Sequence, residues 1–285
     1  MRVVLLIDSL GSGGAQRQMV NLALGLAARE HAVTLLRYAP GDHFRARLDG
    51  SRVLVRDVAK AWRFDPAVVG RIRRALRAAQ PEVTLSFLQT PNTYNLLAGV
   101  WPGCQWKTVV SERSFDTPGR MPVVSFALRQ LYRRADAVVF NSHHQRRSLE
   151  GRLPWVSHRA CTIYNGVDLD EFRPLADHPV AGHMRLLAVG RDEPSKNGLL
   201  LVEALSLLRH TYGLDARVQW VGHVDRPPNR HGHHDRMIEA IRAARLESAW
   251  EWVPPQANLG DHLRQADALC ILRLEKVCRT SFARP

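Results

Sequence analysis

The feature that most constrains the fold is an alternation along the chain of short apolar, β-branched runs with stretches of helical period. Val3-Val4-Leu5-Leu6-Ile7 opens it. A run that is apolar at every position, not at every second one, belongs to a strand covered on both faces, as in a parallel sheet. The small, Gly-rich stretch Ser9–Ala15 follows. Met19, Leu22, Ala23, Leu26 and Ala27 then recur at three- and four-residue spacing, one face of a helix. Ala32–Leu36 is the next strand. Strand, glycine turn, helix, strand is one βαβ unit.

The same alternation predicts helices at 66–79, around Asn92–Gly99 and near 122–134, with strands at Val83–Phe87, Thr108–Ser111, Ala137–Asn141 and Ala160–Tyr164. After Phe172-Arg173-Pro174 the polar stretch Ala176–His183 has the composition of a linker. A second series follows, with strands at Arg185–Val189, Arg217–Val221, Trp250–Val253 and Ala268–Leu272 and helices near 197–210, 234–246 and 259–265. The expected fold class is α/β, two Rossmann-like domains (residues 1–175 and 184–285) facing a cleft, for which 285 residues give room. Arg273–Pro285 shows neither period, so the second domain is expected to be incomplete.

No run of 18 or more apolar residues occurs, and Asp8 interrupts the N-terminal apolar run after five residues, which therefore reads as a buried strand and not a signal peptide. A cytoplasmic location is expected. Cys104, Cys161, Cys270 and Cys278 form no CxxC pair and are expected as free thiols. The net charge of +13 suits polyanionic partners, including anionic lipid at the inner membrane face. Scattered Arg without interleaved aromatics or a recognition motif argues against nucleic acid.

Gly11-Ser12-Gly13-Gly14 lies between the first strand and its helix, where glycine lets a phosphate approach the backbone and the free N–H groups of the helix start. The dinucleotide fingerprint G-x-G-x-x-G is not met, because its third glycine position is Gln16. The second strand ends Leu35-Leu36-Arg37-Tyr38, without the ribose-binding carboxylate. A nicotinamide cofactor is thus disfavoured. His223, His231, His233 and His234 cluster in a Pro- and Gly-broken stretch and are expected in a flexible solvent loop, not at zinc.

Gly13-Gly14-Ala15-Gln16-Arg17 with Val20-Asn21-Leu22-Ala23 resembles the first loop and helix of the retaining glycosyltransferases of family 4. Val109-Val110-Ser111-Glu112-Arg113, Ala135-Asp136-Ala137-Val138-Val139 with Asn141-Ser142, and Asn165-Gly166-Val167-Asp168 with Phe172 and Pro174 are similar to further motifs of that family. Val189-Gly190-Arg191 with Lys196-Asn197 is similar to its donor-diphosphate motif. The resemblance covers about residues 1–270.

It implies a GT-B fold and transfer of a sugar, with retention, from a UDP- or GDP-sugar to a saccharide or polyprenyl-linked acceptor, as in surface polysaccharide or glycolipid synthesis. No cofactor or metal is implied. Gly13, Gly14, Gly190, Arg191 and Lys196 would bind the donor. Arg191 and Lys196 would neutralise the departing nucleoside diphosphate, and Glu112 would contact the acceptor or else be a solvated loop carboxylate. The chain departs from the family where two glutamates eight positions apart are expected: Glu275 stands alone, with Ala283 eight further on. That departure fits a truncation or frameshift and leads us to expect a poor catalyst. Two other readings stay open: a GT-B-fold nucleotide-sugar epimerase, and an inactive fragment or partner subunit.

Overall fold

The structure is a computed structural model that describes residues 1–62, 65–100, 104–113, 122–169, 172, 182–222, 232–256 and 258–272. The chain divides into two compact units, Met1–Gly166 and Val167–Pro285. The expected linker at 176–183 falls largely outside the described residues, as do Arg273–Pro285 with Glu275 and Ala283, and also His223, His231 and Cys278.

In the N-terminal unit seven strands form one parallel sheet: β1 (Arg2–Ile7), β2 (Ala32–Arg37), β3 (Leu54–Asp57), β4 (Val83–Phe87), β5 (Lys107–Glu112), β6 (Ala137–Phe140) and β7 (Ala160–Thr162). Their order is β3-β2-β1-β4-β5-β6-β7. The chain thus runs outward from β1 on one side, then returns to lay β4 against its other side, in register Val3↔Val83 to Leu6↔Ser86. The continuous apolar run of β1 is explained by two cores. Val3, Leu5 and Ile7 pack with Met19, Val20 and Ala23 of helix α1 (Gly14–Ala28). Val4 and Leu6 pack on the other face with Val68, Ile72 and Leu76 of α2 (Ala67–Ala79) and with Ala98 of α3 (Gln89–Ala98). Successive strand residues point to opposite faces, so a strand buried on both must be apolar throughout.

Two elements lie outside the sequence expectation. β3 is an edge strand whose Arg56 and Asp57 are exposed, which removes the apolar signal. Helix α5 (His143–Glu150) is short and polar, but its start is written in Ser142-x-x-Gln145: the Ser142 hydroxyl accepts from the Gln145 backbone N–H at 3.2 Å. The helix expected near 122–134 is α4 (Val123–Gln130), which tightens into a 3₁₀ turn at Leu131–Arg134.

The C-terminal unit holds a four-stranded parallel sheet of β8 (Met184–Val189), β9 (Ala216–Val221), β10 (Trp250–Val253) and β11 (Ala268–Cys270), in the order β10-β9-β8-β11. Helices α6 (Gly198–Ser206) and α7 (His233–Ala243) supply Leu201, Val202, Leu205, Met237 and Ile241 to a core with Leu186, Ala188, Val218 and Trp220. Helix α8 is Leu259–Gln265. α6 ends sooner than its period suggested, because a π-helical turn occupies Leu207–Thr211. Trp220, Trp250 and Trp252 form a cluster with ring centroids 5.5–6.1 Å apart.

Candidate active site

In an open parallel sheet the loops at the carboxyl strand ends diverge where the strand order reverses, and ligands bind there. The reversal in the N-terminal unit lies between β1 and β4, so the Gly11–Gly14 loop after β1 stands at it. In the C-terminal unit it lies between β8 and β11, and the loop Gly190–Asn197 after β8 stands at it. The two motifs singled out from sequence thus occupy equivalent positions in their own sheets.

The first loop is closed by its own side chains. Gln16 reaches back over Gly13, where a Cβ would lie 2.2 Å from Gln16 Oε1, and Gln16 Nε2 donates to Asp8 Oδ1 at 2.8 Å. Asp8 Oδ1 also accepts from Ser9 N at 2.6 Å. Gly14 has open space around it. The family-like motifs of this unit converge further along. Gln18 Nε2 donates to the Gly166 carbonyl at 2.8 Å, and Gly166 N donates to Gln18 Oε1 at 3.1 Å. The Arg113 guanidinium stacks 3.7 Å from the Phe87 ring centroid and bonds Ser111 Oγ at 2.9 Å and Asn165 Oδ1. Burial pulls the Arg113 guanidinium down to about 10.

The solvated carboxylate weighed for Glu112 is corrected by its surroundings. Glu112 is 2% exposed: Oε2 accepts from Arg129 Nη2 at 3.0 Å and Oε1 from the Tyr132 hydroxyl. Burial, and then the Glu112 charge, hold the Tyr132 hydroxyl well above its ordinary range. A polar chain continues inward, with Asn92 Nδ2 donating to Tyr132 Oη at 3.1 Å and Ser86 Oγ donating to Asn92 Oδ1 at 2.8 Å. Glu112 therefore fastens the end of β5 to α3 and to α4 and the turn after it. Contact with an acceptor requires displacing one of its two partners.

In the second loop, Gly190 has φ +148°, a conformation that strains any residue with a Cβ. Its N–H donates to the Val221 carbonyl and its own carbonyl accepts from Trp220 Nε1, both at 3.0 Å. The Lys196 side chain lies across it, with Cε 3.0 Å from where a Cβ would stand. Lys196 also lines a pocket of about 370 Å³ with Val189, Trp220, Leu259, Leu263 and Cys270. Among the described residues Lys196 has no acidic partner. Arg191 is 73% exposed at its side chain and pairs with Glu193 at 3.4 Å. Gly190 and Lys196 are thus in contact, while Arg191 turns to solvent.

Gly222 backs this loop so closely that a Cβ there would sit 1.9 Å from the Gly190 carbonyl oxygen. A backbone atom cannot swing aside, so Gly222→Ala is expected to cost at least 1–3 kcal/mol, about the usual penalty of overpacking. Denaturant unfolding checks this; an unchanged midpoint would contradict it.

His233 and His234 do not lie in a solvent loop. They form the first turn of α7, with His233 6% exposed. His234 Nδ1 lies 2.6 Å from Asp192 Oδ2, and His233 Nε2 3.4 Å from Asp192 Oδ1. Burial holds the His233 imidazole below its ordinary value, against the pull of Asp192 and Glu193 and helped by Arg236 and His234. With a lowered folded-state value, the unfolded chain binds the proton first as pH falls. The stability is fully present above about pH 6.5, the ordinary histidine value, and is lost as pH drops through the folded-state value. The protein is therefore expected to melt at a lower temperature at pH 5.5 than at pH 7.5, and His233→Gln should reduce that difference. An undiminished difference in the variant would assign the pH response to other groups. Asp192, Gly222 and this histidine pair are not visible as site residues in the sequence, since their partners lie 32 to 42 positions away.

Among the described residues no group of three or more His, Cys, Asp or Glu could hold a metal ion, and no helix is long and apolar enough to cross a membrane. The family model described as Glycosyltransferase Family 4 matches residues 12–171. A Campylobacter jejuni protein named as a 4-α-N-acetylgalactosaminyltransferase of N-acetylgalactosamine-N,N′-diacetylbacillosaminyl-diphospho-undecaprenol is 27% identical over 223 residues, 72% of this chain and 59% of that protein. The D-inositol 3-phosphate glycosyltransferase of Kineococcus radiotolerans is 32% identical over 157 residues, 50% of this chain and 35% of its own length. The chain thus spans less than two thirds of these relatives. The fold matches that of Anabaena HepE in complex with UDP and glucose (TM-score 0.77, 16% identity, covering 94% of this chain and 73% of that one). It also matches sucrose-phosphate synthase from Thermosynechococcus elongatus (TM-score 0.72, 15% identity, covering 98% and 77%).

Proposed function

Because the chain belongs to glycosyltransferase family 4, we propose that it transfers a sugar, with retention of configuration, from a UDP- or GDP-sugar to a saccharide or lipid-linked acceptor. One observation carries the reading. At the strand-order reversal of the C-terminal unit, Lys196, which has no acidic partner among the described residues, lies across Gly190 at a pocket of about 370 Å³. A fixed cation there stabilises the charge that develops on a departing diphosphate. Arg191 leaves Glu193 to join it, and Gly190 lets the phosphates approach the backbone. In its own unit the Gly13-Gly14 turn, open at Gly14, offers the backbone N–H groups at the start of α1 to a phosphate.

The acceptor is proposed to reach the N-terminal unit. The diphospho-undecaprenol named for the Campylobacter relative supports a lipid-linked saccharide, and UDP in the HepE complexes supports a uridine donor. Peripheral contact with anionic lipid is supported by the net charge of +13 and by the exposed Val123, Val124 and Phe126 of α4, near Arg133 and Arg134 in sequence. The test is transfer from UDP- and GDP-sugars to undecaprenyl-diphosphate-linked saccharides, with the anomeric configuration of the product read by NMR. An inverted product overturns retention; failure to bind either UDP or GDP overturns the donor reading.

A further inference from the structure

The loop that carries Arg191 and Lys196 is attached to the rest of its unit at three points. Gly190 is held by the Trp220 indole and the β9 backbone. Gly198, at the start of α6, packs so tightly on α7 that a Cβ would lie 2.6 Å from Met237 Sδ. Between them stands Asp192, whose carboxylate has no solvent exposure and meets His234 Nδ1 at 2.6 Å. A buried carboxylate needs a donor. It can only accept, so the proton of this bond sits on Nδ1. The His234 ring is fixed from its other side by an edge contact to Trp252, with centroids 5.0 Å apart. Asp192 also stands by the first turn of α7, where the helix dipole favours a negative charge. Nothing in the donor reading uses this pair, yet Asp192 directly follows Arg191 and is four residues from Lys196.

We propose that Asp192 and His234 are positioning residues for the donor: their hydrogen bond clamps the loop to α7 and so fixes where Lys196 and Arg191 meet the diphosphate. The inference rests on the donor reading above. The clamp explains why a charged residue occupies a fully buried loop position. Without it the loop between Gly190 and Gly198 keeps its two ends and, in its middle, only the longer 3.4 Å approach of His233 Nε2 to Asp192. A loop so loosened must be ordered again by each incoming donor, which weakens binding more than it slows a bound donor's reaction.

The test titrates UDP and GDP into the full chain by calorimetry and measures donor KM and kcat. His234→Phe keeps a ring against Trp252 and removes the N–H. It is expected to weaken diphosphate binding and raise donor KM at least tenfold, with kcat at saturating donor within about threefold. His234→Asn loses the ring but offers a side-chain N–H near the place of Nδ1, and is expected to restore binding to within threefold of the wild type. Unchanged binding in His234→Phe, or binding as weak in His234→Asn, overturns the clamp. Lys196→Ala separates the two claims. If it loses binding while His234→Phe does not, the clamp alone fails. If Lys196→Ala both binds UDP and GDP and turns over as the wild type does, the donor reading fails, and the clamp's role with it. Amide exchange of the unmodified chain gives a reading free of folding defects. The amides of Asp192 and Glu193 are expected to be protected well beyond an open loop, and exchange at the rate of free peptide would refute the clamp.

Discussion

Lys196→Ala is expected to lower kcat by about 10²–10³-fold, the usual loss when one preorganised donor to a developing anion is removed. The side chain is well placed for such a role and poorly placed for a structural one. It is exposed, has no acidic partner among the described residues, and lays its methylenes where a Cβ on Gly190 would point. The melting temperature should therefore stay within a few degrees of the wild type. Lys196→Arg keeps the charge but carries a planar, bulkier head, and the space over Gly190 is already tight, so only partial recovery is expected. Steady-state kinetics with a UDP- or GDP-sugar decide the matter. A loss below threefold would mean that the departing diphosphate is neutralised elsewhere.

The largest effect on stability is expected at Glu112. Glu112→Ala removes the carboxylate that meets the buried Arg129 guanidinium at 3.0 Å and takes the acceptor from the Tyr132 hydroxyl. Breaking a buried pair by removing one member costs about 3–5 kcal/mol, a large share of the roughly 5–15 kcal/mol that holds a domain together. A fall in melting temperature on the order of 10 °C follows. Glu112→Gln, which can still accept from one partner, should lie between. The same pair of variants tests a direct acceptor role. If Glu112 chiefly touches the acceptor, Glu112→Ala will raise the acceptor KM with its melting temperature intact.

The parts of the fold legible in the sequence are those where physics leaves little choice of residue. β1 must be apolar at five successive positions because each of its faces has a core, whereas β4, β9 and β10 show the other strand signal, an alternation of apolar and polar residues, as in Val83-Thr84-Leu85-Ser86-Phe87 and Trp250-Glu251-Trp252. β3, with one neighbouring strand and exposed charges, has no such constraint. Ser142-x-x-Gln145 carries a legible start for α5, whose eight residues include a single apolar one, Leu149. The loop Gly190–Asn197 was legible as a motif because Gly190 and Lys196, which the fold brings together, are six positions apart. Asp192 was not, because its burial is created by His234, 42 positions away. The solvated alternative for Glu112 failed for the same reason: a carboxylate at a strand end is usually wet, and the return of α4 and its 3₁₀ turn across β5 encloses this one.

The three clustered indoles of the C-terminal unit give the protein an optical signature of its own. Rings 5.5–6.1 Å apart share their electronic excitations, so Trp220, Trp250 and Trp252 should produce a coupled circular-dichroism band that isolated tryptophans such as Trp62 and Trp155 do not. That band vanishes when the cluster separates, whatever happens to helices elsewhere. Emission carries a second report, because the His234 imidazole lies against Trp252, and parting of that contact changes the surroundings of an indole in the unlabelled protein.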